Sequence, residues 1–392
     1  MFGTLKVVEL ASVLAGPSVG QFFAELGAEV IKIENLQTHG DVTRTWKGRN
    51  EKDGDIPAYF SSVNWGKKSI ALDLTLPAGQ EIMWELVRQA DIVIASYKPG
   101  DARKLGADYQ SLVRFNPDLI YGQITGYGPE NERVGYDAII QAEAGFMDIN
   151  GEVGGPPLKM PVALMDILAA HHLKEGLLLA MLRRQQTGKG DLVEVSLIQA
   201  AISSLANQAA NWLVAKNLPE RQGSSHPNIA PYGDCFIAKD GKRVLLAVGS
   251  NIQFQKLCNQ LEMNELASDP RFANNADRVR NREGLCGLIQ SGISKITSRE
   301  LISRCNALKI PVGAIQNVAE AFEMEEAQSI LINNGPWAGV RNFVGNSFGS
   351  LPDVSHMLPP PAFGQHTHDL LLAKLSFSAE KLALLRQNGV IN

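Results

Sequence analysis

Strand and helix signals alternate through the first two hundred residues, and that alternation limits the fold more than any other feature of the chain. Lys6–Leu10 (KVVEL) is predicted as a short apolar strand. After it come a turn at Ala15-Gly16-Pro17, a helix over 18–26 with Pro17 in its first turn, Gly27 as the stop, and a strand over 29–34. The pattern repeats with a strand over 69–74, Thr75 as a candidate N-cap ahead of Pro77, and a helix over 78–89. Strands over 91–95 and 119–125 complete it. Strand–helix–strand repetition at this spacing implies parallel strands covered by helices, a Rossmann-like α/β layer.

The texture changes near residue 220. Gly223-Ser224-Ser225-His226-Pro227 is rich in turn residues, and 234–238 and 243–248 read as a hairpin around Lys239-Asp240-Gly241. Helical patterns continue to about residue 327. Pro336, Pro352 and Pro359-Pro360-Pro361 then mark an extended return path, and 368–392 is helical by pattern. The expected domains are 1–220, the N-terminal part of a large Rossmann-like domain; 221–327, a smaller α+β domain; and 328–392, a linker and return. The parallel sheet of the large domain is expected to be built from both chain ends, with the small domain inserted.

Composition narrows the class. The four cysteines, Cys235, Cys258, Cys286 and Cys305, form no CxxC pair, which speaks against a disulfide framework or a zinc site and for a reducing compartment. The 37 Lys+Arg against 41 Asp+Glu give a net charge of −4, which speaks against a general nucleic-acid binder. The N-terminus lacks the order of a signal peptide, and the longest apolar stretches are far too short to span a bilayer. A soluble, cytoplasmic protein is expected.

Asp166 is the most informative single residue. It follows Pro161-Val162-Ala163-Leu164-Met165 and precedes a helical run over 167–185. One reading makes it an N-cap that accepts backbone N–H bonds. The other uses the same placement for chemistry, since a carboxylate at a helix N-terminus stays ionised, is held in one orientation and can attack an activated acyl group. The two readings are compatible.

Other candidates are weaker. The loop Ala15-Gly16-Pro17-Ser18-Val19-Gly20 does not match the GxGxxG dinucleotide fingerprint, and no phosphate-binding P-loop is present. Lys67-Lys68 before one strand, and Lys98-Pro99-Gly100 with Arg103-Lys104 after another, are surface charge or a basic surround for a phosphate-rich ligand. Gly126-Tyr127-Gly128-Pro129 and Gly135-Tyr136-Asp137 are turn chemistry by spacing. His171, His172, His366 and His368 find no third partner for a metal, and no GxSxG occurs.

Taken together, these segments resemble the class III CoA-transferases, the family of formyl-CoA and carnitine CoA-transferases. The resemblance runs from Val8-Glu9-Leu10 and Leu14-Ala15-Gly16-Pro17 through Leu26-Gly27-Ala28-Glu29-Val30-Ile31-Lys32-Ile33-Glu34, Gly40-Asp41 and Asn64-Trp65-Gly66-Lys67-Lys68. It continues through Lys98-Pro99-Gly100, Asn116-Pro117-Asp118, Gly135-Tyr136-Asp137, Thr187-Gly188-Lys189-Gly190, His226-Pro227 with Ala230-Pro231-Tyr232, and Gly364-Gln365-His366-Thr367. It implies transfer of coenzyme A from an acyl-CoA donor to a carboxylic acid acceptor, with Asp166 as the nucleophile that forms anhydride and thioester intermediates and with no metal.

The resemblance also implies CoA contacts at Ser12, Leu14, Lys67, Lys68, Ser96, Tyr97 and Lys104, with Tyr136 near the thioester. It further implies an interlocked homodimer that engages neither nucleic acid nor membrane. The chain departs from formyl-CoA transferase in lacking a glycine-run loop in its middle region, which speaks against formate and oxalate as substrates. A racemase acting at the α-carbon is the alternative within the superfamily; it needs a histidine before the acid of a GHD motif, where this chain has Tyr136 before Asp137. A tyrosine is a poor base at neutral pH. The third reading is a non-catalytic CoA-binding protein.

Overall fold

The computed structural model describes residues 2–52, 54–98, 100–343, 354 and 357–392; Pro99 and Pro352, both part of the sequence reading, lie outside the described residues. Two compact units emerge. The larger comprises Met1–Phe146, Lys159–Ala215 and Ser329–Asn392, the smaller Met147–Leu158 and Lys216–Gln328.

The larger unit is built on a six-stranded sheet in the order β3-β2-β1-β4-β5-β6. The strands are β1 (Lys6–Leu10), β2 (Glu29–Asn35), β3 (Lys67–Leu72), β4 (Ile92–Ala95), β5 (Ile120–Thr125) and β6 (Asp191–Ser196). Every neighbouring pair is parallel. The two faces follow from the period-two alternation of a strand. Val7, Val30, Ile92, Ile94, Ile120 and Ile124 pack on one face against α1 (Ala15–Glu25), which contributes Val19, Phe22 and Phe23. Val8, Leu10, Ile31, Ile33, Ile70 and Leu72 pack on the other against α2 (Pro77–Arg88), which contributes Ile82, Met83 and Leu86. Both faces are covered, as an all-parallel sheet requires.

Three local expectations are corrected. Ala15-Gly16-Pro17 is the first turn of α1 and not a separate turn; a Cβ on Gly16 would collide with the Ala11 Cβ, so the glycine lets the helix start tight against the end of β1. Thr75 does not cap α2, because its hydroxyl donates to Asp73 Oδ1 at 2.6 Å. The sheet is not built from both chain ends, since all six strands lie between residues 6 and 196.

The C-terminal return covers the open edge of β3 instead. The Ser69 N–H donates to His366 Nδ1 (3.1 Å), the His366 N–H to the Ser69 carbonyl (2.9 Å) and the Ala71 N–H to Thr367 Oγ1 (3.0 Å). Ile391 forms an antiparallel bridge with Leu72. The helices Thr367–Leu375 and Ala379–Gln387 add Leu370, Leu371, Leu382 and Leu385 to the core beneath α2. The Gly364-Gln365-His366-Thr367 motif thus closes a sheet edge that would otherwise present unpaired backbone.

The smaller unit contains a three-stranded antiparallel sheet of β7 (Tyr232–Ile237), β8 (Arg243–Ala247) and β9 (Val312–Ala314), so the expected hairpin is present. Its own core includes Phe236, Leu246, Phe254, Leu257, Leu285 and Ile289. All four cysteines are free thiols in this unit.

Candidate active site

The chain runs from β1 outward to β2 and β3, then returns to lay β4 on the other side of β1. The loops after β1 and β4 therefore diverge at the carboxyl end of the sheet, which opens a crevice there. A cavity of about 240 Å³ occupies it. The loop after β1 supplies Ser12 and Val13, the loop after β4 Ser96, Tyr97 and Lys98, and the segment after β5 Arg133, Tyr136 and Asp137; Asp166 completes the wall.

Asp166 lies in α4 (Leu164–Thr187). The helix begins two residues before Asp166 with Ala163 in the cap position, so the expected N-cap role is corrected: the Asp166 side chain makes no cap bond. The capping acid comes from another helix, α3 (Asp137–Glu143). Asp137 Oδ1 accepts the Met165 N–H at 2.8 Å, while its Oδ2 accepts from Gln141 Nε2 at 2.6 Å.

Asp166 itself is 8 % exposed. Burial first, and then the nearby Asp137 charge, push its carboxyl from 3.8 up to about 7. The expectation of a permanently ionised carboxylate is therefore also corrected. Helix-end stabilisation is outweighed by desolvation and by a like charge that already occupies the helix end. Burial together with Asp166, Asp137 and Asp41 likewise raises the Tyr59 phenol, which brings Tyr59 into the electrostatic surround of the site.

The wall beside Asp137 is held by close backbone packing. Gly126 and Gly135 touch so tightly that a Cβ on Gly126 would lie 2.7 Å from Gly135 Cα, and one on Gly135 would strike Gly126 Cα. Arg133 stacks over Tyr127 at 4.1 Å and pairs with Glu143 at 2.5 Å.

Of the expected site residues, Ser12, Ser96, Tyr97, Tyr136 and Asp166 meet at this cavity. A neighbouring cavity of about 390 Å³ shares Ser12, Ser96 and Tyr97 and extends past Lys32, Glu34 and Asp41. Burial pushes the Tyr97 hydroxyl up to about 12. Leu14 lies outside both linings, at the cap position of α1. Lys68 pairs with Glu29 at 2.8 Å, and Lys104, on the surface, with Asp101 at 2.9 Å.

Lys67 is the clear departure from expectation. It is fully buried, pairs with Glu9 Oε2 at 2.7 Å, and donates to the Pro17 carbonyl at 2.8 Å and Asn64 Oδ1 at 2.9 Å. Burial pulls its ammonium down to about 8. It belongs to an interior charge network in which Lys32 bridges Glu9 (2.9 Å) and Asp41 (3.1 Å). Although burial opposes it, Glu9, Asp41 and Glu34 hold the Lys32 ammonium above its ordinary value. A cation so enclosed is not presented to a phosphate.

Sequence reasoning missed Asp137, Tyr59 and Arg133 as parts of this surround. Asp137 carried the one available signal, an acid directly after the Tyr136 that was singled out. Among the described residues no group of three His, Cys, Asp or Glu is placed to hold a metal ion, and no helix is long and apolar enough to cross a membrane.

The sequence matches CoA-transferase family III over residues 3–367. It is 39 % identical over 332 residues to a succinate–glutarate CoA-transferase of Agrobacterium fabrum, covering 83 % of this chain and 82 % of that protein. It is 31 % identical to the succinyl-CoA:glutarate CoA-transferase of Homo sapiens, over 99 % of this chain and 89 % of that protein. Among solved structures, a CAIB/BAIF family protein from Brucella suis superposes with a TM-score of 0.86 at 38 % identity, covering 94 % of this chain and 98 % of that one.

Proposed function

Because this chain belongs to CoA-transferase family III and is an acyl-CoA:carboxylate CoA-transferase, we propose that Asp166 is the group that carries the acyl moiety and then the CoA between donor and acceptor. The observation that supports this most is the placement of its carboxylate: nine-tenths buried, facing the crevice cavity, without a hydrogen-bonded partner among the described residues.

In the first step a carboxylate oxygen of Asp166 attacks the thioester carbonyl. The C–S bond breaks and the thiolate leaves with the electron pair, giving a mixed anhydride. The thiolate then attacks the Asp166 carbonyl carbon, expels the donor acid as its carboxylate, and leaves an aspartyl-CoA thioester. An incoming carboxylate repeats the two steps in reverse, so the acceptor leaves as its CoA thioester and Asp166 is regenerated. Each intermediate conserves the activation of the thioester, and no external energy source is needed.

The site favours this chemistry in a specific way. Burial and Asp137 make the free carboxylate costly, and acylation removes its charge, so both penalties are relieved as the anhydride forms. A carboxylate of raised basicity is also a better nucleophile than one at the ordinary value.

Coenzyme A is proposed to lie across Ser12, Ser96 and Tyr97, where the two cavities meet, with Tyr136 toward the thioester and Lys68 and Lys104 supplying charge from the rim. Lys67 is left out of this set. Relatives named for succinate, glutarate, mesaconate and oxalate support dicarboxylic acids as the acceptor class. Oxalate thus stays within the proposal despite the missing glycine-run loop. An interlocked homodimer is proposed as well, supported by the exposed apolar side chains Leu179 and Leu182 on α4 and Ile202 on α5 (Leu197–Ser203).

The test is trapping. With succinyl-CoA and glutarate turning over, added hydroxylamine should convert Asp166 to its hydroxamate, seen by mass spectrometry of the peptide, and Asp166→Ala should abolish exchange. An unmodified Asp166 peptide, or exchange by the alanine variant, would overturn the assignment. Washing of α-deuterium into the acyl-CoA from heavy water without an acceptor would favour the racemase reading instead.

A further inference from the structure

Val13 lines the Asp166 cavity with φ = 72°, a left-handed conformation that a β-branched residue rarely adopts. Something in the surrounding structure must hold it there. Its N–H lies 3.2 Å from both carboxylate oxygens of Asp41, a residue 28 positions away that is only 4 % exposed.

Asp41 is itself fixed from several directions. It accepts the Thr43 N–H (3.0 Å) and Thr43 Oγ1 (2.8 Å), and Lys32 Nζ lies 3.1 Å away. Its own N–H donates to Glu34 Oε2 at 3.0 Å, and Glu34 in turn takes both the Nε (2.7 Å) and a terminal nitrogen (2.6 Å) of Arg44. The next link of the same loop is also tied, since the Ser12 N–H donates to Ser96 Oγ at 3.2 Å. The loop after β1 is thus clamped at two consecutive N–H groups, one to the loop after β4 and one to the segment after β2.

We propose that Asp41 is a positioning residue: its buried carboxylate pins Val13 in the left-handed conformation and so sets the wall from Ser12 to Gly16 against which the reacting thioester lies. The buried Lys32, which no step of the transfer uses, serves this clamp by holding the Asp41 carboxylate in register from the core. The inference rests on the reading that the cavity at Asp166 receives the acyl-CoA.

Two pairs of variants test it, with succinyl-CoA and glutarate as the probes and thermal unfolding followed in parallel. Val13→Pro locks φ near −65° and removes the N–H, whereas Val13→Gly accepts positive φ at no cost. Val13→Pro is expected to fold and to lose about 100-fold in kcat/KM, with Val13→Gly at least about tenfold more active than Val13→Pro. Asp41→Asn should lose about tenfold or more, and adding Val13→Gly to it should recover most of that loss, a rescue that a purely structural role for Asp41 would not produce.

Equal activity of Val13→Pro and Val13→Gly, or no rescue in the folded double variant, would overturn the proposal. If Asp41→Asn does not fold, the proline–glycine contrast decides alone. Asp166→Ala assayed alongside separates the two claims. Exchange by that variant would remove the nucleophile assignment and leave the loop contrast to be judged by itself.

Discussion

A nucleophile held in an unfavourable setting should reveal itself as a cost to the fold. Asp166 rises from 3.8 to about 7 in the folded chain, through burial first and Asp137 second. A carboxyl whose folded value lies above its unfolded value stabilises the fold only at low pH; that contribution is lost as pH climbs from the unfolded value through about 7. At pH 8 the wild-type fold therefore carries a penalty of roughly 4 kcal/mol, at 1.36 kcal/mol per pH unit.

Asp166→Asn removes the charge and keeps the shape. Allowing about 1 kcal/mol for an amide left without a partner, it should stabilise the larger unit by roughly 3 kcal/mol at pH 8. In thermal unfolding that is a rise of roughly 5–10 °C. The comparison between pH values is sharper than either value alone, because the stabilisation should be about 2.5 kcal/mol larger at pH 8 than at pH 5. The same variant should not transfer CoA. A melting temperature that is unchanged or lower at pH 8, or a gain equal at the two pH values, would refute the claim that Asp166 is destabilised as a carboxylate.

Asp137→Asn removes the like charge beside Asp166, so the acid limb of the kcat/KM profile should move to lower pH; a limb that stays in place would show that burial alone sets it. Lys67→Met leaves Glu9 buried without that cation and should cost about 3–5 kcal/mol by denaturant unfolding, whereas a folded variant with only a raised KM for acyl-CoA would restore Lys67 as a ligand. Gly135→Ala drives a methyl group into Gly126 and should displace the Arg133–Tyr136 wall, lowering kcat/KM by about tenfold or more while the melting temperature falls by only a few degrees. Full activity in that variant would show that the wall does not define the site.

The parallel sheet was legible because each strand carries its own signal: a short apolar run bounded by turn residues, with the helix after it covering one face. Asp166 was legible as a position and misread in its environment. Its helix starts earlier than the spacing indicated, and the acid that caps it comes from 28 residues upstream, a relation no local pattern encodes. Lys67 failed for a similar reason. Two lysines before a strand look like surface charge, but strand alternation turns the first inward onto Glu9, across two intervening strand pairings of the sheet. The C-terminal return was sensed as a segment belonging with the large domain. Its helical pattern was legible; its relation to the sheet was not, because the return meets β3 through scattered bonds from His366, Thr367 and Ile391 rather than through a strand with its own apolar signal.

That return has a consequence for how the protein is made. Leu370, Leu371, Leu382, Leu385 and Ile391 belong to the same core as β3 and α2, yet they leave the ribosome roughly three hundred residues later. Until then the nascent chain leaves the β3 edge unpaired and part of the apolar core around Ile70 and Leu72 uncovered, the kind of surface that recruits other unfinished chains. Synthesis speed and chaperone supply, rather than the stability of the finished fold, should therefore govern the yield of this protein when it is overproduced, and nonsense changes in the last thirty residues should yield aggregates rather than shortened enzyme.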